Sequence, residues 1–220
     1  MYKIAPALVL YALLFLPDPG EFTFLLEAHT TAPINFSFNS TLLEIVTIYI
    51  PLLVLIFHPA VKMFLYGAEK IPVPRAHLNS AVRTAADAFF TLLGIAGIAA
   101  AVSCFSETLK IQGEESLFVV EDGAEIVVYI MLACGAAVEE SFFRYFMINS
   151  FETAGFSLWS ASLVPVVLFT LPHIWEGIPG LLMAFLAGLF FTAVYERRRA
   201  LLPLILAHAV YNMAAFSLSL

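Results

Sequence analysis

The sequence is poor in charge. Only 12% of its residues are Asp, Glu, Lys or Arg, against 61% hydrophobic, and the mean hydropathy is +0.93. A soluble domain carries about a quarter charged residues, so an ordinary water-soluble fold is excluded. Positive charge is scarcest of all: 10 Lys and Arg stand against 17 Asp and Glu, a net charge of −7. No basic tract is present for a nucleic-acid partner. Cysteine is nearly absent. Cys134 lies inside an apolar run and Cys104 near the end of another, which suggests small packing residues rather than a disulfide framework or a zinc knuckle. The N-terminal apolar run Ile4–Leu16, ended by Pro17-Asp18-Pro19-Gly20, lacks a small-x-small cleavage site after it. It reads as a short first span rather than a signal peptide.

What the chain has is long apolar runs. At about 20 residues per span, they predict an all-α, polytopic transmembrane helical bundle of about seven spans. After Ile4–Leu16 these are Leu42–Phe57, with Pro51 as an expected kink, and Ala85–Phe105, whose GIAGIAAA stretch lets helices approach closely. A fourth starts near Ala124, and a turn at Thr153-Ala154-Gly155 leads to Ser157–His173. The short loop Trp175–Gly180 gives Leu181–Tyr195, and Leu201–Leu218 follows. The division is residues 1–123, with about three spans, and 124–220, a helical core with about four. Lys3, the segment Lys62–Arg83 with Lys70 and Arg75, and Arg197–Arg199 then share one side. The other side has only Lys110, in a loop carrying Glu107, Glu114, Glu115, Glu121 and Asp122. By the positive-inside rule the N-terminus is cytoplasmic.

Against this background VEESFFRYFMIN, residues 138–149, stands out, because ionisable groups inside a spanning helix are costly and mark function by default. Glu140 and Arg144, four apart, share a helix face and can pair. Glu139 lies about 100° round the helix and does not face Arg144. One carboxylate reads as structural, and the other as a free group of the kind a general base requires. Three more polar residues sit in apolar late helices. His173 ends FTLPH, one turn after Phe169, and His208 and Asn212 share a face of the last span in LAHAVYN. An imidazole and a carboxamide on one face can orient a water or donate to a developing oxyanion.

EESFFR fits E-E-x-x-x-R, FTLPH fits F-x-x-x-H and HAVYN fits H-x-x-x-N. In that order, on successive late spans, they resemble the three motifs of the CPBP intramembrane proteases, which include type II CAAX prenyl endopeptidases and bacterial relatives linked to bacteriocin immunity and protein sorting. The resemblance covers Ala124 to Phe216. It implies an intramembrane endopeptidase in which Glu139 is the general base that activates water and His173 helps hold that water. His208 and Asn212 would stabilise the oxyanion, with Glu140 and Arg144 as the supporting pair. The implied partners are the lipid bilayer and a membrane-associated peptide or protein substrate, lipidated or a sorting tail. Prokaryotic members are the nearer comparison for a chain this short, so the expected location is a prokaryotic inner membrane.

Glu139, His173 and His208 could form a zinc set, but H-E-x-x-H is absent and the histidines lie on different helices, so the favoured reading has no metal. Depth offers a check. Glu139 and His173 lie about 22–28 Å from the turn near Ala154, and His208 about 13 Å from Arg199, at 1.5 Å per residue. These levels agree only if the hairpin of spans four and five extends past the membrane on the cytoplasmic side. Residue by residue, structural readings also exist. His173 fits an interfacial histidine beside Trp175, His208–Asn212 fits interhelical hydrogen-bond glue, and Glu44 and Asp87 fit side chains reaching the interface. Arg197–Arg199 reads as a topology anchor. Two other function classes compete: a non-catalytic membrane partner with the same fold, and a transporter using Glu and His as a proton relay. The intact set Glu139, His173, His208 and Asn212 argues against the first, and the lack of an internal repeat against the second.

Overall fold

The computed structural model describes residues 4–16, 34–59, 81–111 and 118–219. Lys3, the basic residues Lys62, Lys70 and Arg75, and Glu114 and Glu115 of the acidic loop lie outside these. The elements are α1 (Ala5–Leu14), β1 (Ile34–Phe36), α2 (Phe38–Phe57), α3 (Ala81–Leu109), β2 (Phe118–Val120), α4 (Glu125–Thr153), α5 (Leu158–Thr170), α6 (Gly177–Arg198) and α7 (Leu202–Ser219). Among the described residues, five helical runs are long and apolar enough to cross a membrane: α2, α3, α4, the stretch Leu158–Arg198 and α7. The protein is a multi-pass, mostly helical membrane protein. Helix α1 is apolar but shorter.

Leu158–Arg198 is a hairpin rather than one rod. A Cβ placed on Gly188 of α6 would touch Phe169 and Val166 of α5, and Ser162 of α5 donates to Glu196 of α6 at 3.3 Å. The two helices therefore run side by side in opposite directions. The reversal is a 3₁₀ turn, Leu171–Glu176, closed by Gly177 at φ 71°, which a side chain would resist. Helix α6 thus begins four residues before the expected Leu181.

Helix α4 is the centre. Half of its apolar window is buried inside the protein, whereas the other long runs bury between 17% and 33%. Helices α2, α5 and α7 pack around it, while α3 lies against α6 and α7. Helix α1 seals one side, with the Phe15 ring 4.9 Å from both Phe142 and Phe143 of α4. In lipid such contacts stabilise by close packing rather than by water exclusion, since the tails are as apolar as the side chains.

Two π-helical turns interrupt the helices. In α2, Ile45–Tyr49 precedes Pro51, and the Ile50 N–H reaches back to the Ile45 carbonyl. Proline crowds the carbonyl four residues earlier, here that of Thr47, and a wider turn relieves the clash. The expected kink is thus taken up as a widening. In α4, Glu140–Met147 is π-helical and all eight of its residues are buried. Helix α4 ends in a Schellman-type closure, Phe156 N–H to Phe151 O at 3.1 Å with Gly155 at φ 88°, and Ser157 caps α5 through its hydroxyl.

The all-α expectation omits one element. Strands β1 and β2 pair in parallel, Asn35 opposite Val119, and the Phe36 and Phe118 rings meet Phe216 of α7 at 6.0 and 5.4 Å. Parallel partners lie far apart in sequence by necessity, so no local pattern announces them.

Candidate active site

Helix α4 supplies two carboxylates in contrasting settings. Glu139 closes its regular part and keeps 28% of its side chain exposed. Glu140 opens the π segment and is fully buried. The Glu140 Oε2 atom lies 3.3 Å from Arg144 Nε, one helical step of four away. The contact is ionic rather than an aligned hydrogen bond, and the terminal nitrogens of Arg144 have no hydrogen-bond partner among the described residues. The guanidinium lies instead over the Phe169 ring of α5, 4.3 Å from its centroid, and 5.5 Å from that of Phe191 of α6. Two ring faces and one carboxylate hold a cation that would otherwise be costly at this depth.

His208 of α7 is the junction. Its Nδ1 is 2.9 Å from Glu140 Oε1 and its Nε2 is 3.7 Å from Glu139 Oε2. Both carboxylates of the E-E pair thus face one imidazole, and Glu140 bridges His208 and Arg144. Beside an ionised Glu140, Nδ1 carries the proton of that hydrogen bond. As an imidazolium, His208 would also donate from Nε2, and two carboxylates would then balance two cations. His208 and Glu139 lie at one level at this contact. Helix α4 is about 44 Å long at 1.5 Å per residue, against about 30 Å of hydrocarbon, so it is long enough to project from a bilayer.

His173 stands in the 3₁₀ turn between α5 and α6, its ring 5.2 Å from Phe169. It lies within electrostatic range of Glu139 and Arg144, and its Nδ1 is 2.8 Å from Glu176 Oε1. Asn212 is half-buried, one turn beyond His208 on α7. The rings Phe169 and Phe191 link the set: Phe169 touches His173 and Arg144, and Phe191 touches His208 and Arg144. His173, Glu139, Glu140, Arg144 and His208 therefore form one cluster, assembled from α4, the α5–α6 turn and α7. Among the described residues no three His, Cys, Asp or Glu side chains group as metal ligands. Both imidazoles have Nδ1 on a carboxylate, a setting in which Nε2 can hold a water or a metal alike.

Some partners were not visible in the sequence. Glu176 was a loop residue there; its i, i+3 spacing from His173 signals a contact only once the turn is known to be 3₁₀. Glu44, expected at the interface, accepts a hydrogen bond from the Tyr49 hydroxyl at 3.0 Å, and Tyr49 is within electrostatic range of Glu139. The Arg197–Arg199 run does more than mark topology. Arg198 pairs with Asp87 of α3 at 3.3 Å, and Arg199 bridges Glu152 of α4 and Glu196 of α6. Burial alone would lower the Arg199 pKa, but the hydrogen bond and charge of Glu152, with Glu196, hold it above its ordinary value.

No curated protein and no solved structure matches the chain. Residues 123–214, which contain all seven named positions of the three motifs, match the family model described as type II CAAX prenyl endopeptidase Rce1-like. That is a family of proteases, consistent with the CPBP resemblance of the motifs. The site-bearing region of this multi-pass membrane protein is therefore similar to the Rce1-like type II CAAX prenyl endopeptidases.

Proposed function

We propose that the protein is an intramembrane endopeptidase that hydrolyses a peptide bond of a membrane-associated substrate with a glutamate-activated water. The observation that carries this reading is the contrast between adjacent carboxylates: Glu139 is accessible and faces His208 Nε2, whereas Glu140 is closed off and neutralised by Arg144. In this scheme Glu139, with His173, holds a water. Glu139 takes a proton from it as the oxygen attacks the carbonyl carbon. Electron density moves to the carbonyl oxygen, where His208 Nε2–H and the Asn212 carboxamide donate. The proton on Glu139 then passes to the leaving nitrogen as the C–N bond breaks. Glu140 holds His208 in place and keeps its Nδ1 protonated.

No step in this scheme runs through a metal. The substrate class we favour is a peptide segment at the membrane surface, with a prenylated C-terminal peptide and an unmodified sorting tail as the two forms to compare. Following the positive charges, we place the N-terminus on the cytoplasmic side of a prokaryotic inner membrane. The deciding experiment incubates the purified protein in liposomes with prenylated and unprenylated peptide pools, and compares wild type with Glu139→Ala. Cleavage that depends on Glu139 supports the scheme. Full biological activity of Glu139→Ala in cells would make the protein a membrane partner instead.

A further inference from the structure

The 3₁₀ turn after α5 sets a geometry that an α-helix would not. With three residues per turn, side chains at i and i+3 eclipse each other. His173 and Glu176 hold these positions in Leu171–Glu176, and Nδ1 meets Oε1 at 2.8 Å. The Glu176 carboxylate is also seated from the other side. A Cβ at Gly180, one turn into α6, would lie 2.1 Å from Glu176 Cβ and 2.7 Å from its Oε2. Any side chain at position 180 would push Glu176 out of its place. Glu176 has no role in the three motifs, and the protease scheme above does not use it.

We propose that Glu176 is a positioning residue for His173. Its carboxylate accepts the hydrogen bond from His173 Nδ1–H, fixing the tautomer and the ring plane. The Nε2 lone pair is thereby left to hold the attacking water. An imidazole backed in this way is more basic at its far nitrogen and less free to turn. The charged and titratable groups that bear on the pair come from three elements. They are Glu139 and Arg144 of α4, Glu176 itself, and Tyr211 of α7, which lies within electrostatic range of Glu176. The role in catalysis rests on the protease reading of the site, but the pairing itself does not.

The test uses full-length protein in nanodiscs with ¹⁵N-labelled histidine, the His173 signals being assigned by their loss in His173→Gln. The wild type is expected to show His173 protonated at Nδ1. In Glu176→Ala, and separately in Gly180→Ala, where the carboxylate is kept but displaced, the proton moves to Nε2. On a prenylated fluorogenic peptide, both variants are expected to lose about 10–100-fold in kcat with KM nearly unchanged, and their pH–rate profiles to shift. Gln at position 176 keeps an acceptor oxygen without the charge, and should lie between wild type and Ala. An Nε2-protonated His173 in the wild type, or a tautomer indifferent to Glu176→Ala, overturns the proposal. So does an unchanged kcat in Glu176→Ala when the wild type cleaves. A wild type that cleaves no peptide, with Glu139→Ala fully active in cells, overturns the protease reading and the catalytic role with it. The nitrogen signals would then still report on the pairing by themselves.

Discussion

The Glu140 carboxylate and the His208 imidazole, 68 residues apart in the chain, meet at 2.9 Å where almost no surface is exposed. Their contact fixes α7 against the π segment of α4, and Arg144 on the far side of Glu140 completes the charge balance. Arg144 and His208 both depend on Glu140, which lies between them.

Removing Glu140 should therefore harm the fold before it harms chemistry. Glu140→Ala strands the Arg144 guanidinium and leaves His208 Nδ1 without its acceptor, at a cost of about 3–5 kcal/mol. Thermal unfolding in detergent would read this as a large fall in Tm. Glu140→Gln with Arg144→Met, which removes both charges, should recover part of the loss; a double variant worse than Glu140→Ala would refute the pairing.

Glu139→Gln should do the opposite. Glu139 is part-exposed and, among the described residues, has its ion-pair partner His208 at 3.7 Å, so the melting temperature is expected to stay near wild type. Cleavage should fall by about 10²–10⁴-fold, the usual worth of a general base. Retained cleavage would remove Glu139 from the mechanism.

Asn212 and His208 separate turnover from stability. Asn212→Ala is expected to lower kcat by about 10²–10³-fold with little change in KM, as for loss of one oxyanion donor. His208→Ala should lower both kcat and Tm, because it also leaves the buried Glu140 oxygen without its donor. Equal stability of the two variants would argue against the His208–Glu140 contact.

Chelator is expected to leave cleavage intact. The favoured scheme needs no metal ion, because Glu139 itself takes the proton from the attacking water. Activity abolished by chelation and restored by zinc would replace the glutamate scheme with a metal one.

Packing makes a prediction away from the site. A Cβ at Gly94 of α3 would lie 2.2 Å from the Phe190 ring of α6, whereas a Cβ at Gly97 would meet nothing within 4 Å. Gly94→Ala should destabilise by about 1–3 kcal/mol, the range for overpacking. Gly97→Ala should be near neutral, and a reversed order of melting temperatures would show that α3 and α6 do not approach as described.

The sequence by itself determined the membrane class, the helical runs and the chemical cast. These are local properties: apolar length sets a span, and a charge within a span stands out because its burial is costly. The i, i+4 relation of Glu140 and Arg144 was equally readable, since a single helix imposes it, and the two atoms lie 3.3 Å apart. Tertiary structure alone decided how those residues combine. The π turn at Glu140–Met147 is one such feature, since no residue pattern within α4 announces it. The parallel pairing of β1 with β2, the bridging of Glu152 and Glu196 by Arg199, and the placing of His208 between two adjacent glutamates all join residues distant in sequence. Glu176 marks the boundary between the two kinds of information. It is only three residues from His173, yet the two meet because Gly177 reverses the chain and the turn tightens to 3₁₀, where i and i+3 eclipse.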